Sequence, residues 1–205
     1  MSRPVSVEKA LDLLRARDLQ GMRGLMTVNG GRLLKGQRRV VILVKRPDQI
    51  RGEILSEFGN PLQQFAVQGG RLSLGWPEEN RYESVPATRE GMRESLSLPL
   101  VPEEVVSLLL VIPPFPDNNQ KIWLEEIRGQ FVPKRIKSPH YRVDYSDYQD
   151  VKGFLFPRKI ELFLGAGRID FVFQEVELNP AFQREAFDLK VPKNSRGEKN
   201  ATPFP

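Results

Sequence analysis

Turn-forming residues punctuate this chain at intervals of about 8–12 residues, and the segments between them are short and apolar or alternating. That spacing leaves no room for the crossover helix a parallel pair of strands needs. The chain is therefore expected to fold as an antiparallel meander rather than as βαβ units. The first set of strand candidates is Met22–Asn29, Arg39–Lys45, Gln49–Phe58, Leu62–Gln68, Gly70–Trp76 and Asn80–Val85. Pro47-Asp48, Gly59-Asn60-Pro61 and Gly69-Gly70 separate members of this set. A second set comprises Lys121–Ile127, Gln130–Lys137, Tyr141–Tyr145, Arg158–Leu164, Arg168–Leu178 and Glu185–Val191. Tyr141-Arg-Val-Asp-Tyr145 alternates as a strand with one wet face does. Gly165-Ala166-Gly167 lies between two strands with no helix after it, so it reads as a turn and not as a dinucleotide loop.

Two segments carry a helical signal instead. Val7, Ala10, Leu11 and Leu14 fall on one face of a helix, with Ser6 placed to cap it and Glu8 in its first turn. This helix is expected from about Val7 to Leu19, ending near Gly21. A second is expected over Pro102–Leu110. Proline at its first position loses no hydrogen bond, and Glu103-Glu104 suit the positive end of its dipole. Val105, Val106, Leu108, Leu109 and Leu110 make it apolar nearly all round, so it belongs inside. The expected fold is mainly β with two or three helices.

A chain of 205 residues suits one domain. It is placed at residues 1–192, with the polar KNSRGEKNATPFP (193–205) as a disordered tail. Cysteine is absent and His140 is the single histidine, which removes thiolate chemistry and any two-histidine metal site. The net charge of +5 comes from basic residues interleaved with acidic ones, not from a dense stripe, so nucleic acid is a disfavoured partner. The longest apolar run, Val105 to Pro116, is too short to span a bilayer and is broken by prolines. MSRPVSVEKA lacks the layout of a signal peptide. Asp144, Asp147 and Asp150 do not follow the alternate spacing of a calcium loop, and Glu78-Glu79 and Glu125-Glu126 have no evident partner. No glycine-flanked serine or phosphate-cradling loop occurs. No catalytic residue, metal or cofactor is expected.

The chain does carry surplus apolar side chains. Ile169, Phe171 and Phe173 share one strand face and Val172 and Val176 the other, while Ile160, Leu162 and Leu164 stand opposite Phe163. Strands apolar on both faces, beside an all-apolar helix, fit either a two-layer core or a core with a lined cavity.

Three motifs in order resemble the Lol lipoprotein-localisation factors, the periplasmic carrier LolA and the outer-membrane receptor LolB. They are Lys45-Arg-Pro-Asp-Gln-Ile-Arg51 with Ile54-Leu-Ser-Glu-Phe-Gly-Asn-Pro-Leu62, then Leu98-Pro-Leu-Val-Pro-Glu-Glu104 with the helix after it. The third is Val143-Asp-Tyr-Ser-Asp-Tyr148 leading to Phe156-Pro-Arg-Lys-Ile160. The resemblance runs from about Leu11 to Val191. Leu108–Ile112 stand where the receptor has a Trp and a Gly, and Asn179–Leu189 extends past the receptor's end like the carrier's closing strand, so carrier and receptor both stay open.

The resemblance implies an unclosed antiparallel half-barrel wrapped around helices, binding acyl chains of lipoproteins or other lipids on its concave face. It implies a monomer in the periplasm, free or anchored to the outer membrane and meeting its inner leaflet. The same fold resembles that of envelope-stress sensors and of a pigment-pathway enzyme, which are the alternative roles. The residues expected to line the lipid site are Ile54, Val105, Leu108, Leu109, Ile112, Trp123, Leu162, Phe171 and Phe173. Phe58, a large aromatic in the turn Glu57–Pro61, has two readings. Either it is an exposed tip touching the membrane, as the resemblance implies, or it is the last inward residue after Ile50 and Ile54.

Overall fold

A computed structural model describes residues 6–14, 18–30, 36–112, 119–183 and 185–189. Its first elements are helix α1 (Val7–Leu14) and strands β1 (Gly21–Gly30), β2 (Arg38–Lys45), β3 (Gln49–Leu55), β4 (Pro61–Gln68), β5 (Arg71–Trp76) and β6 (Arg81–Pro86). Helices α2 (Arg89–Leu96) and α3 (Pro102–Leu109) follow. The chain continues through β7 (Lys121–Ile127), β8 (Gln130–Lys137), β9 (Arg142–Val151), β10 (Phe154–Leu164) and β11 (Gly167–Leu178).

Period-two alternation decides which way each strand faces. Val40, Ile42 and Val44 on β2 and Ile50, Gly52 and Ile54 on β3 are buried, while Val41, Leu43, Arg51 and Glu53 on the other face are half-buried. Every neighbouring pair of strands is antiparallel. The order in the eleven-stranded sheet is β6-β5-β4-β3-β2-β1-β11-β10-β9-β8-β7. Two meanders are thus joined where β1 pairs with β11, in a register that sets Met26 against Phe173 and Val28 against Phe171. The edges, β6 and β7, do not meet, so the sheet is an open half-barrel.

The helices occupy its concave side. α3 packs against β2 and β3, and α1 against β7 and β8. Glu104 accepts a hydrogen bond from the N–H of Val101 at 2.9 Å, capping α3 at the end where Pro102 needs no partner. Tyr145 of β9 donates to the carbonyl of Leu108 at 3.2 Å and ties α3 to the second meander. Phe156 and Phe173, both fully buried, meet edge to face at 5.3 Å. On the convex side, Arg142 lies 3.8 Å above the ring of Phe163, beside the pairs Arg135–Asp144 and Arg168–Asp170.

Four expectations need correction or extension. The strand expected over Gln49–Phe58 ends at Leu55. Short β9 becomes a long hairpin with β10, because Lys152 and Gly153, both at positive φ, make a tight turn that pairs Val151 with Phe154. α2 was not anticipated: it buries only Met92, too little apolar pattern to register, yet Thr88 caps it by accepting from Gly91 N–H at 3.2 Å. The strand expected over Glu185–Val191 is absent among its described residues, 185–189. Both edges of β11 are already taken by β1 and β10, so the chain after Leu178 leaves the ladder and crosses the convex face. There Phe182 and Phe187 meet edge to face at 5.0 Å, Arg51 donates to the Asp188 carbonyl, and Leu189 reaches Gly75. The first helix, expected to reach Leu19, is described to Leu14; residues 15–17 lie outside the described residues, 18–20 are not helical, and the 193–205 segment expected as a tail also lies outside the described residues.

Candidate functional site

Between the concave face and the helices lies a void of about 110 Å³. Its floor is Met26 and Val28 of β1, Val40 and Ile42 of β2, Ile50 and Ile54 of β3, Phe65 and Val67 of β4, and Ile169 and Phe171 of β11. Its roof is Met92 and Leu96 of α2, Leu98, and Val105, Leu108 and Leu109 of α3. Gly30 completes the lining, which among the described residues contains no polar side chain. An apolar cavity of this order, about 150 Å³, stays dry and accepts a molecule the size of benzene. Dispersion contacts are missing along its walls, so an apolar guest regains what the empty protein forgoes.

The architecture explains why space is left here. α3 packs mainly on β2 and β3, while the lining of the void extends to β1, β4 and β11. Gly52 of β3 also lacks a side chain: the Phe65 ring lies across it, so close that a Cβ would stand 2.1 Å from the ring. The aromatic thereby covers the glycine and presents its other face to the void.

Of the side chains expected to line a lipid site, Ile54, Val105, Leu108, Leu109 and Phe171 surround this void. The other four stand elsewhere. Phe173 and Leu162 are fully buried in the core of the sheet, Phe173 against Phe156. Ile112 is half-buried beyond the end of α3, packed against that core. Trp123 alternates with the buried Ile122, which turns it toward the opposite face of β7. Sequence reasoning missed the contributions of β1, β2 and β4, whose alternation carried the signal, and of α2. Phe58 is 92% exposed at the tip of the β3–β4 hairpin, which excludes the inward reading.

Among the described residues no titratable side chain lines the void. The groups whose proton affinity is shifted are surface pairs: the hydrogen bond from Arg93 holds the Glu90 carboxyl below its usual range, and Asp144 and Asp170 raise Arg135 and Arg168. Asp144 is held by Arg135, and Asp150 accepts the Gly153 N–H at 3.0 Å, so both serve structure. Among the described residues no cluster of His, Asp and Glu could hold a metal ion, and no helix is long and apolar enough to cross a membrane.

An eleven-stranded open sheet curled around helices, with an apolar void between, is the LolA/LolB-like fold. A candidate outer membrane lipoprotein-sorting protein domain from Vibrio parahaemolyticus superposes with a TM-score of 0.58 at 10% identity, covering 89% of this chain and 96% of that one. A LolA superfamily protein from Nitrosomonas europaea gives 0.52 at 9% identity, over 89% and 97% of the two chains. A DUF1329 family protein from Desulfovibrio piger gives 0.58 at 8%, over 89% and 95%. No protein-family model matches the sequence, and no curated protein matches it significantly. The likeness is one of fold.

Proposed function

We propose that this protein binds acyl chains in the concave void and carries or receives them, lipoproteins foremost, for delivery to the outer membrane. The observation that carries the reading is the lining: every described side chain around the void is apolar. An enzyme pocket needs a few convergent polar groups to orient its substrate, whereas an acyl chain asks only for burial. Each CH₂ withdrawn from water contributes about 0.8 kcal/mol, so a long chain gains on the order of 10 kcal/mol without any polar contact. The lipoprotein-sorting description of the Vibrio structure supports the same choice of cargo. A void of about 110 Å³ is smaller than a long acyl chain. Filling it therefore requires the roof of α2 and Leu98 to move outward, and its return closes the empty form. Phe58, exposed on a hairpin that starts beside Ile54, serves as a point of contact with the bilayer. The working compartment in this reading is the periplasm, and the protein acts as a monomer.

Val105→Phe puts a ring into the void from the α3 side. The variant should keep the far-ultraviolet spectrum of the parent, lose about 1–3 kcal/mol of stability to overpacking, and no longer take up an apolar fluorescent dye. Undiminished uptake by the folded variant would remove the void as the binding site. Organic extraction of the protein expressed with its export route intact should release fatty-acyl material.

A further inference from the structure

The apolar lining stops at Ile54, where a second depression of about 280 Å³ begins with different chemistry. Val40 pairs with Ile54 and Ile54 with Gln63, so these three form one row across the inward faces of β2, β3 and β4. The first two line the void; the third is an amide. Its Nε2 is closed off from solvent and has no hydrogen-bond partner among the described residues. A buried donor without an acceptor destabilises the fold, and a leucine in the same place would not. Arg38 is the next inward position of β2 beyond Val40, and it is half-buried in the wall of the same depression. Among the described residues its guanidinium makes one hydrogen bond, to the carbonyl of its neighbour Gln37 at 3.3 Å. Trp76 also lines it, with the Arg81 guanidinium 3.8 Å from the centre of its ring.

Two underused donors at the end of an apolar void call for an acceptor attached to an apolar chain. We infer that Arg38 and Gln63 form a head-group subsite, which takes a singly charged acidic head group whose acyl chain lies in the void. The inference rests on the acyl-binding reading and narrows its ligand to acidic lipids. The guanidinium supplies charge and a forked pair of donors, and the amide supplies one more. Glu78 and Glu79 stand at the outer lip, exposed to solvent. Glu79 is paired with Arg81 at 3.3 Å, while Glu78 repels any group carrying several negative charges. That selects a fatty-acid carboxylate or a phosphodiester over a multiply phosphorylated head group.

The experiment uses the delipidated full chain loaded with a neutral apolar dye, displaced in turn by laurate, by dodecanol and by lauroyl-lysophosphatidylglycerol. The parent should bind at least one of the two acids about tenfold more tightly than the alcohol, and the tighter acid identifies the source of the head group. Gln63→Leu and Arg38→Met should each remove most of that preference and leave dodecanol unchanged. Gln63→Leu should also raise the melting temperature of the empty protein, because it deletes an unsatisfied donor. Equal affinity for acid and alcohol in the parent, or a preference that survives both substitutions, overturns the subsite while the void stands. Failure of the dye itself to bind the parent overturns the acyl-binding reading instead, and the subsite with it. Should Arg38→Met not fold, the Gln63→Leu comparison decides alone.

Discussion

Gly52 and Phe65 face each other across β3 and β4, and their fit sets the size of the void. The ring occupies the space that any side chain at position 52 would claim, with 2.1 Å between a built Cβ and the ring. Gly52→Ala must push Phe65 toward the void, since the backbone beneath it is held on both sides by the ladder. The expected cost is about 1–3 kcal/mol of stability, together with weaker uptake of an apolar dye. In a Phe65→Leu background the same substitution should cost far less, because the two sites are coupled through contact. An equal cost in both backgrounds would show that the ring is not what Gly52 accommodates. This also marks where residue-level reading of the sequence ends. Ile54 and Phe171 were identifiable by inward alternation, but so were Phe173 and Leu162, and nothing in their pattern tells filled space from empty. Emptiness is a property of what stands opposite, which a strand's own residues do not encode.

Among the elements that line the void, α2 left the least trace in the sequence. Its eight residues bury Met92 alone, so it has no stripe to recognise; the readable signs were Thr88 as a cap and the i, i+4 pair Met92 and Leu96. What holds it is polar. Arg89 donates to the Pro99 carbonyl at 2.7 Å and to Glu104 at 3.1 Å, joining the start of α2 to the start of α3. Glu104 also caps α3, so one carboxylate fastens both halves of the roof. Arg89→Met keeps much of the aliphatic stem and cuts these bonds. The amides of α2 should then exchange faster with solvent, and the apolar dye should enter faster with little change in overall melting temperature. Unaltered exchange in α2 would mean that Met92 and the cap suffice to hold it. The C-terminal segment teaches the complementary lesson. Its apolar residues suggested a strand, but a strand needs a free edge, and the topology left none beside β11.

The whole molecule places its void and, among the described residues, its most exposed aromatic on the same hairpin. β3 carries Ile54, at the boundary of the void, and runs on into the turn that presents Phe58 to solvent with 92% of its surface exposed. Ser56 and Asn60 close that turn at 2.8 Å between backbone groups, and Gly59 takes the positive φ, so the ring is held out by a defined loop. One aromatic inserted part-way contributes about 1–3 kcal/mol, which suits repeated brief contact rather than anchoring. Such contact would bring the Ile54 end of the void near the bilayer, shortening the path of a chain through open water. Phe58→Glu should leave the melting temperature and dye uptake of the protein as they were, since the ring touches nothing that either depends on. Flotation with phosphatidylethanolamine–phosphatidylglycerol vesicles should fall by about tenfold, and transfer of a fluorescent acyl chain from protein to vesicle should slow with it. If transfer keeps its rate while flotation falls, the tip binds membranes but does not serve delivery. If neither changes, Phe58 has no part at the bilayer.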